Sequence, residues 1–238
     1  MFKWVLLPAL LGLVCGSAVW IGIEAKRIQK EQTYYARTVA QHVNSYLQRS
    51  HRQLKQIAKF RETKASQSVT QFLSYYSPSI QTVYLLDSSG RLIESWPQES
   101  EKLDFSKIIQ SASFQKSLYL TRPYYSLAQN EVVVGMVTAA SRKQLLLAEL
   151  DLAVLQYSIK NLTQHMESGF AFLTDEHGNL LAHPDMSKVN QQVNMGDLDI
   201  ISPLSSGESK SGFYSRKKGL RLMSATSVRL SNWKVGLS

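Results

Sequence analysis

Apolar and polar positions along the chain fall into three regimes. Residues 4–23 are twenty consecutive positions without a charge, preceded by Lys3. As a helix, that length spans a bilayer core. From Glu24 the polarity changes while a helical spacing persists. Ile28, Tyr35, Val39, Val43, Tyr46, Leu47, Leu54, Ile57 and Ala58 recur at steps of three, four and seven, and no proline or glycine interrupts positions 24–77. The spacing predicts an amphipathic helix leaving the membrane segment and running to about Phe60, roughly 55 Å at the helical rise. Its apolar stripe can pack on a sheet of the same chain or pair with a second subunit; the pattern permits both. A shorter helical piece over 69–76 is expected next, stopping at Ser77-Pro78.

Beyond Pro78 the pattern becomes that of short strands. Asp87-Ser-Ser-Gly90-Arg-Leu92-Ile93 and Asp175-Glu-His-Gly178-Asn-Leu180-Leu181 share one Asp-x-x-Gly-x-Leu-apolar pattern, offset by 88 positions, and each follows an apolar run. Glycine supplies the positive φ of a tight turn and aspartate bonds to backbone amides two residues on, so each copy predicts a hairpin, over 81–96 and 170–183. Two such hairpins point to duplicated sheet modules. Between them the pattern predicts a short amphipathic helix at 105–114 and antiparallel strands at 118–126, 131–140 and 144–151. A helix over 152–162 follows, capped by Asp151. A polar region over 184–209 and strands at 210–214, 220–228 and 233–237 complete the second module, with Arg216–Gly219 as a hairpin turn. The expected fold class is α+β: an N-terminal transmembrane helix (1–23), a long emergent helix (24–64) and two antiparallel-sheet modules (65–162 and 163–238).

Charge and cysteine usage narrow the function classes. Cys15 is the only cysteine, so an intrachain disulfide is impossible and thiolate chemistry is excluded. Of a net charge of +9, the span 24–64 carries ten Lys or Arg against three Glu. Placed beside a membrane segment, that excess suits lipid head groups or a solvated helix face. No nucleic-acid-binding fold surrounds it, and nucleic acid is not an expected partner. The small residues Gly16-Ser17-Ala18 would suit a cleaved signal, but the apolar run continues past them to Ile23, which favours an uncleaved anchor.

The chain resembles the double Cache extracytoplasmic sensor domain of bacterial chemoreceptors, histidine kinases and diguanylate cyclases. The resemblance spans nearly the whole chain. Its carriers are the membrane helix running into a long helix, the stretches 83–93 and 120–126, Ala148-Glu-Leu-Asp-Leu152, the stretch 169–185, and Asn232-Trp-Lys-Val-Gly-Leu237. It implies two PAS-like sheets along the long helix, the membrane-distal one binding a ligand. In amino-acid-binding members an Arg-x-Trp-Tyr motif on the short helix holds the ligand carboxylate, and an aspartate after the last distal strand holds the amine. Here the motif positions fall near Ser106, Ile108 and Ile109, none of which match, while Asp151 matches the aspartate. The resemblance thus carries over an amine-binding group without the carboxylate clamp. An aspartate sometimes found after Pro-Tyr is Ser126 here.

The candidate ligand-binding residues are Asp151, Tyr124, Tyr125, Arg122, Tyr84 and Ser126. Asp151 would cap a helix, pair with a cationic ligand, or do both. Tyr124 and Tyr125 point to opposite sheet faces, so at most one meets a ligand. Aromatic rings suit a cationic amine, and Arg122 suits a carboxylate. His177, His183, Asp175 and Asp185 are read as structural, and no metal or other cofactor is expected. No catalytic motif stands out, so the chain is not expected to be an enzyme. The expected function is a small-molecule sensor, homodimeric, in the bacterial inner membrane with its bulk extracytoplasmic. Signal would pass by helix or strand movement to a cytoplasmic output domain beyond Ser238, such as a histidine kinase or diguanylate cyclase. A membrane-tethered interaction protein and an anchored periplasmic hydrolase are the alternatives.

Overall fold

The computed structural model describes residues 3–63, 80–97, 104–111, 113–115, 118–164, 166, 169–201, 204–216 and 219–238. The helix expected at 69–76 lies outside the described residues.

A single helix, α1 (Lys3–Thr63), runs unbroken through the first quarter of the chain. From Val39 onward its stripe is packed within the chain: Val39, Ala40, Val43, Tyr46, Leu47, Leu54 and Ile57 are buried in one continuous core with residues of both sheets, while Ile28 and Tyr35 stay exposed. Polar groups fix its register on the second sheet, where Gln29 Nε2 donates to Ser211 Oγ at 2.5 Å and Arg37 Nε to Ser209 Oγ at 3.0 Å. Farther along, the Tyr46 hydroxyl donates to the Asp151 carbonyl at 2.6 Å, just past the strand that ends at Leu150. Among the described residues no helix is long and apolar enough to cross a membrane.

The first sheet contains β1 (Ile80–Asp87), β2 (Leu92–Trp96), β3 (Ser113–Gln115), β4 (Leu118–Leu120), β5 (Tyr124–Ser126), β6 (Glu131–Ser141) and β7 (Gln144–Leu150). Its order is β2-β1-β7-β6-β4-β3, with β5 also paired to β6, and every pairing is antiparallel. Alternation assigns Val83, Leu85, Leu146, Ala148 and Leu150 to the α1 side, while Tyr84, Leu86, Val137 and Leu147 form a separate cluster on the other side. A one-turn helix, α2 (Ser106–Gln110), covers that outer face. The run read as one strand over 118–126 is two. Thr121 exchanges hydrogen bonds with Gly135 (Thr121 N to Gly135 O, 2.9 Å; Gly135 N to Thr121 Oγ1, 2.8 Å), and Pro123 has no N–H to continue a ladder. Likewise 105–114 is helical only over Ser106–Gln110, because Phe114 pairs with Tyr119 as a strand.

The second sheet has the order β10-β11-β12-β8-β9, built from β8 (Ala171–Thr174), β9 (Leu180–Ala182), β10 (Ser209–Arg216), β11 (Gly219–Ser227) and β12 (Lys234–Leu237). Helix α3 (Ala153–Gln164) connects the two sheets in the chain, burying Leu155 and Ile159. The region read as polar over 184–209 holds α4 (Met186–Asn190), capped by Asp185, and then a buried layer. Met195, Leu198, Ile200, Ile201 and Leu204 pack on Phe172 and Met223 across the outer face.

Candidate functional site

The repeated Asp-x-x-Gly stretches build the same device twice. Asp87 Oδ1 accepts from the amides of Ser89 and Arg91 at 2.8 and 3.0 Å, and Asp175 Oδ1 from those of His177 and Asn179 at 2.9 and 2.8 Å. Gly90 and Gly178 sit at φ +88 and +90. Each glycine carbonyl then accepts from the segment that covers its sheet: Phe105 N to Gly90 O at 3.0 Å, and Met195 N to Gly178 O at 2.7 Å. A Cβ at either glycine would lie 2.7 Å from Ser106 Cα or 2.4 Å from Gly196 N, so only glycine lets the cover dock. The motif therefore turns a strand and holds a lid over the sheet's outer face.

Under the two lids the modules differ. In the second, Phe172 stands where the first has Tyr84, paired across the ladder with Gly236, and the space is apolar and filled. A Cβ on Gly236 would lie 2.1 Å from Phe172 Cζ. In the first, a carboxylate lies inside. Glu149 of β7 is 1% exposed, with Thr82 and Gly135 as its neighbours across the ladder. Three hydroxyls donate to it: Tyr124 to Oε1 at 3.0 Å, Ser126 to Oε2 at 3.0 Å and Tyr84 to Oε2 at 3.4 Å. Burial, then the neighbouring Glu149 charge, hold the Tyr124 phenol well above its usual range, so it stays a donor. Phe105 stacks obliquely on Tyr84 at 4.5 Å between centroids, and Ile108 and Ile109 of α2 complete an apolar wall. Gln129 Nε2 reaches Thr82 Oγ1 at 2.5 Å and closes the edge. A carboxylate is thus set among aromatic and aliphatic side chains, where three hydroxyl donors offset the cost of burying it.

Three of the candidates from sequence, Tyr84, Tyr124 and Ser126, converge on this carboxylate. Three do not. Tyr125 faces outward at 54% exposure, its hydroxyl on Asn130 Oδ1 at 2.6 Å. The Arg122 side chain is exposed, and its backbone N–H lies 3.4 Å from Ser111 Oγ. Asp151 lies beyond the end of β7, where its Oδ1 accepts from Ala153 N at 2.8 Å and starts α3. Sequence reasoning passed over Glu149. The available signal was an acidic residue inside a strand, Gln144–Leu150, that is otherwise aliphatic after Gln144; alternation puts it on the face of Leu147. Elsewhere, His183 is 4% exposed and engaged, its Nδ1 accepting from Asp185 N at 2.9 Å. Among the described residues no cluster of three or more His, Cys, Asp or Glu is placed to hold a metal ion.

The chain belongs to the Cache domain family, whose model matches residues 24–238. Solved structures share the fold at low identity. The ligand-binding domain of the Pseudomonas fluorescens chemoreceptor CtaA in complex with L-valine is 18% identical, covers 90% of this chain and 97% of its own, and superposes with a TM-score of 0.65. The ligand-binding domain of the Pseudomonas aeruginosa PAO1 amino acid chemoreceptor PctB in complex with L-Arg is also 18% identical, covering 88% and 87%, with a TM-score of 0.65. The extracellular domain of the putative histidine kinase rpHK1S-Z16 is 16% identical, covering 90% and 95%, with a TM-score of 0.70. No curated protein matches the sequence.

Proposed function

We propose that the chain is the sensor part of a membrane receptor and binds a small organic amine on the outer face of the first sheet, beneath α2. The observation that carries this reading is the buried Glu149 carboxylate, ringed by the hydroxyls of Tyr84, Tyr124 and Ser126. Relatives with this fold are ligand-binding domains in complex with L-valine and L-Arg. The wall that α2 supplies here is Ile108 and Ile109, which have nothing to offer a ligand carboxylate. An amine with an apolar body, rather than an α-amino acid, therefore suits the site. Asp151 contributes by capping α3.

Anchoring by residues 1–23, an extracytoplasmic position in the bacterial inner membrane and division at about residue 162 into a distal and a proximal module belong to the same proposal. The uncharged run 4–23 and the core shared by α1 with both sheets support them. A homodimer would use the α1 face left over from intrachain packing, where Ile28 and Tyr35, seven residues apart, are 39% and 41% exposed. Because α1 touches both modules, a ligand that binds two sheet arrangements differently would shift the helix. The test is a thermal-shift screen of the full chain with butylamine, putrescine, phenethylamine, L-valine and acetate. Saturable stabilisation by an amine, abolished in Glu149→Gln and kept in Asp151→Ala, is expected. Stabilisation by acetate alone that survives Glu149→Gln would overturn the amine reading and move the site towards Arg122.

A further inference from the structure

Away from the first sheet's outer face, two arginines from different elements converge on a groove of about 640 Å³ between α1 and the second sheet. Arg37 projects from α1 and Arg229 from the turn after β11, and none of the described residues lining the groove is acidic. Arg37 spends its Nε on Ser209, and its terminal nitrogens meet no carboxylate among the described residues. The Arg229 side chain is laid across Gly207, where an added Cβ would come within 3.2 Å of its Cγ and Nε; at φ +76 glycine leaves that channel open. Ser206 Oγ donates to the Arg229 carbonyl at 3.0 Å and steadies the turn. Among the described residues neither guanidinium meets a carboxylate.

Two residues that line the groove carry buried polar atoms without partners. Ser227 is 1% exposed and lines the groove, yet its Oγ has no hydrogen-bond partner among the described residues. Asn44 Oδ1, on the α1 wall, is buried and unpartnered in the same way. Buried polar atoms are normally satisfied, and two exceptions on residues that line one basic groove point to a ligand that donates as well as accepts.

We propose that this groove is a second binding site, for a small hydroxyl-bearing oxyanion. Arg37 and Arg229 hold the anionic oxygens, Asn44 Oδ1 accepts from a ligand hydroxyl, and the Ser227 hydroxyl completes the set. Guanidinium forks suit carboxylate and phosphate oxygens equally, so the anionic group is either. Since the site takes one wall from α1 and the other from β11, occupancy ties the helix to the second sheet. It is independent of the amine site.

The test is thermal-shift titration of the full chain in detergent micelles with citrate and, separately, glycerol 3-phosphate, each against sodium chloride at matched ionic strength. Tricarballylate, which is citrate without its hydroxyl, serves as the comparison. A saturable rise in melting temperature is expected from at least one anion. Binding should weaken roughly tenfold or more in Arg37→Gln and in Arg229→Gln and be unchanged in Glu149→Gln, with tricarballylate weaker than citrate. Both arginines are exposed, so the variants should melt near the parent without anion; if Arg37→Gln does not, Arg229→Gln decides. The two anions distinguish a carboxylate site from a phosphate site. A rise that does not saturate or persists in both variants is general salt stabilisation, and either that or no rise at all overturns the proposal.

Discussion

Replacing Glu149 by glutamine separates ligand recognition from folding. The side chain keeps its shape and loses its charge. In the free protein two large contributions change in opposite directions. The carboxylate gives up hydrogen bonds from Tyr124 and Ser126 at 3.0 Å and from Tyr84 at 3.4 Å, charge-assisted bonds worth about 1.5–3 kcal/mol each. The same change removes the cost of keeping a charge in a site 1% exposed, which is several kcal/mol. Hydroxyls rotate and can accept from the new amide, so the balance should stay within about 1 kcal/mol, or ~2–4 °C of melting temperature for a chain of this size. Amine binding has no such compensation. An ammonium about 4 Å from the carboxylate gains about 4 kcal/mol at an effective dielectric constant near 20. Allowing for the ammonium's own desolvation leaves about 2–3 kcal/mol, equivalent to roughly 30- to 150-fold in Kd. Calorimetric titration of both proteins with the best amine of the screen reads this directly. An affinity in Glu149→Gln within about threefold of the parent would refute the assignment. Should the glutamine variant fail to fold, Glu149→Asp retains the charge one methylene farther back, and it should bind more weakly but measurably.

Other expectations follow from particular contacts. Asp151→Ala removes the bond to Ala153 N and should cost about 1 kcal/mol in denaturant melts while leaving amine affinity unchanged; a lost affinity would return Asp151 to the site. Leu47→Ala, at a position with no exposure between α1 and the sheets, should cost about 2–5 kcal/mol. A loss below about 1 kcal/mol there would mean that α1 is not packed as described. Gly178→Ala forces both positive φ and a 2.4 Å approach to the Gly196 amide, and should expose the second sheet's apolar layer to ANS. Burial first, and the Lys188 charge second, lower the His183 pKa below its usual 6.5. The folded state therefore binds fewer protons than the unfolded chain. Its stability contribution is complete above about pH 6.5 and declines as pH falls towards the folded pKa. His183→Asn should flatten that part of the stability profile; an unchanged slope would exclude His183 as its source.

Much of this molecule follows from local rules. The long helix follows from spacing at three, four and seven without glycine or proline, and the two hairpins from aspartate and glycine at fixed offsets. Turn chemistry is local, so the 88-residue repeat could be read without knowing what the turns touch. What they touch is tertiary: that Gly90 and Gly178 each carry a lid depends on segments fifteen or more residues away in the chain, Phe105 and Met195. The stripe on α1 was equally consistent with a partner subunit, and only the packing of both sheets against it shows how the chain uses it. The site turns on a still finer point. Glu149 and Asp151 are two residues apart and would share a strand face by alternation, and the helix expected after Asp151 draws the reading to Asp151 alone. The strand ends at Leu150, and there the backbone turns to begin a helix that needs a cap. One carboxylate is thereby committed to an amide two residues on, and the other remains on the sheet among three hydroxyls from strands 65, 25 and 23 residues away. Periodicity determines which way a side chain points; where the element stops, and what the rest of the chain brings opposite it, determines what the side chain does.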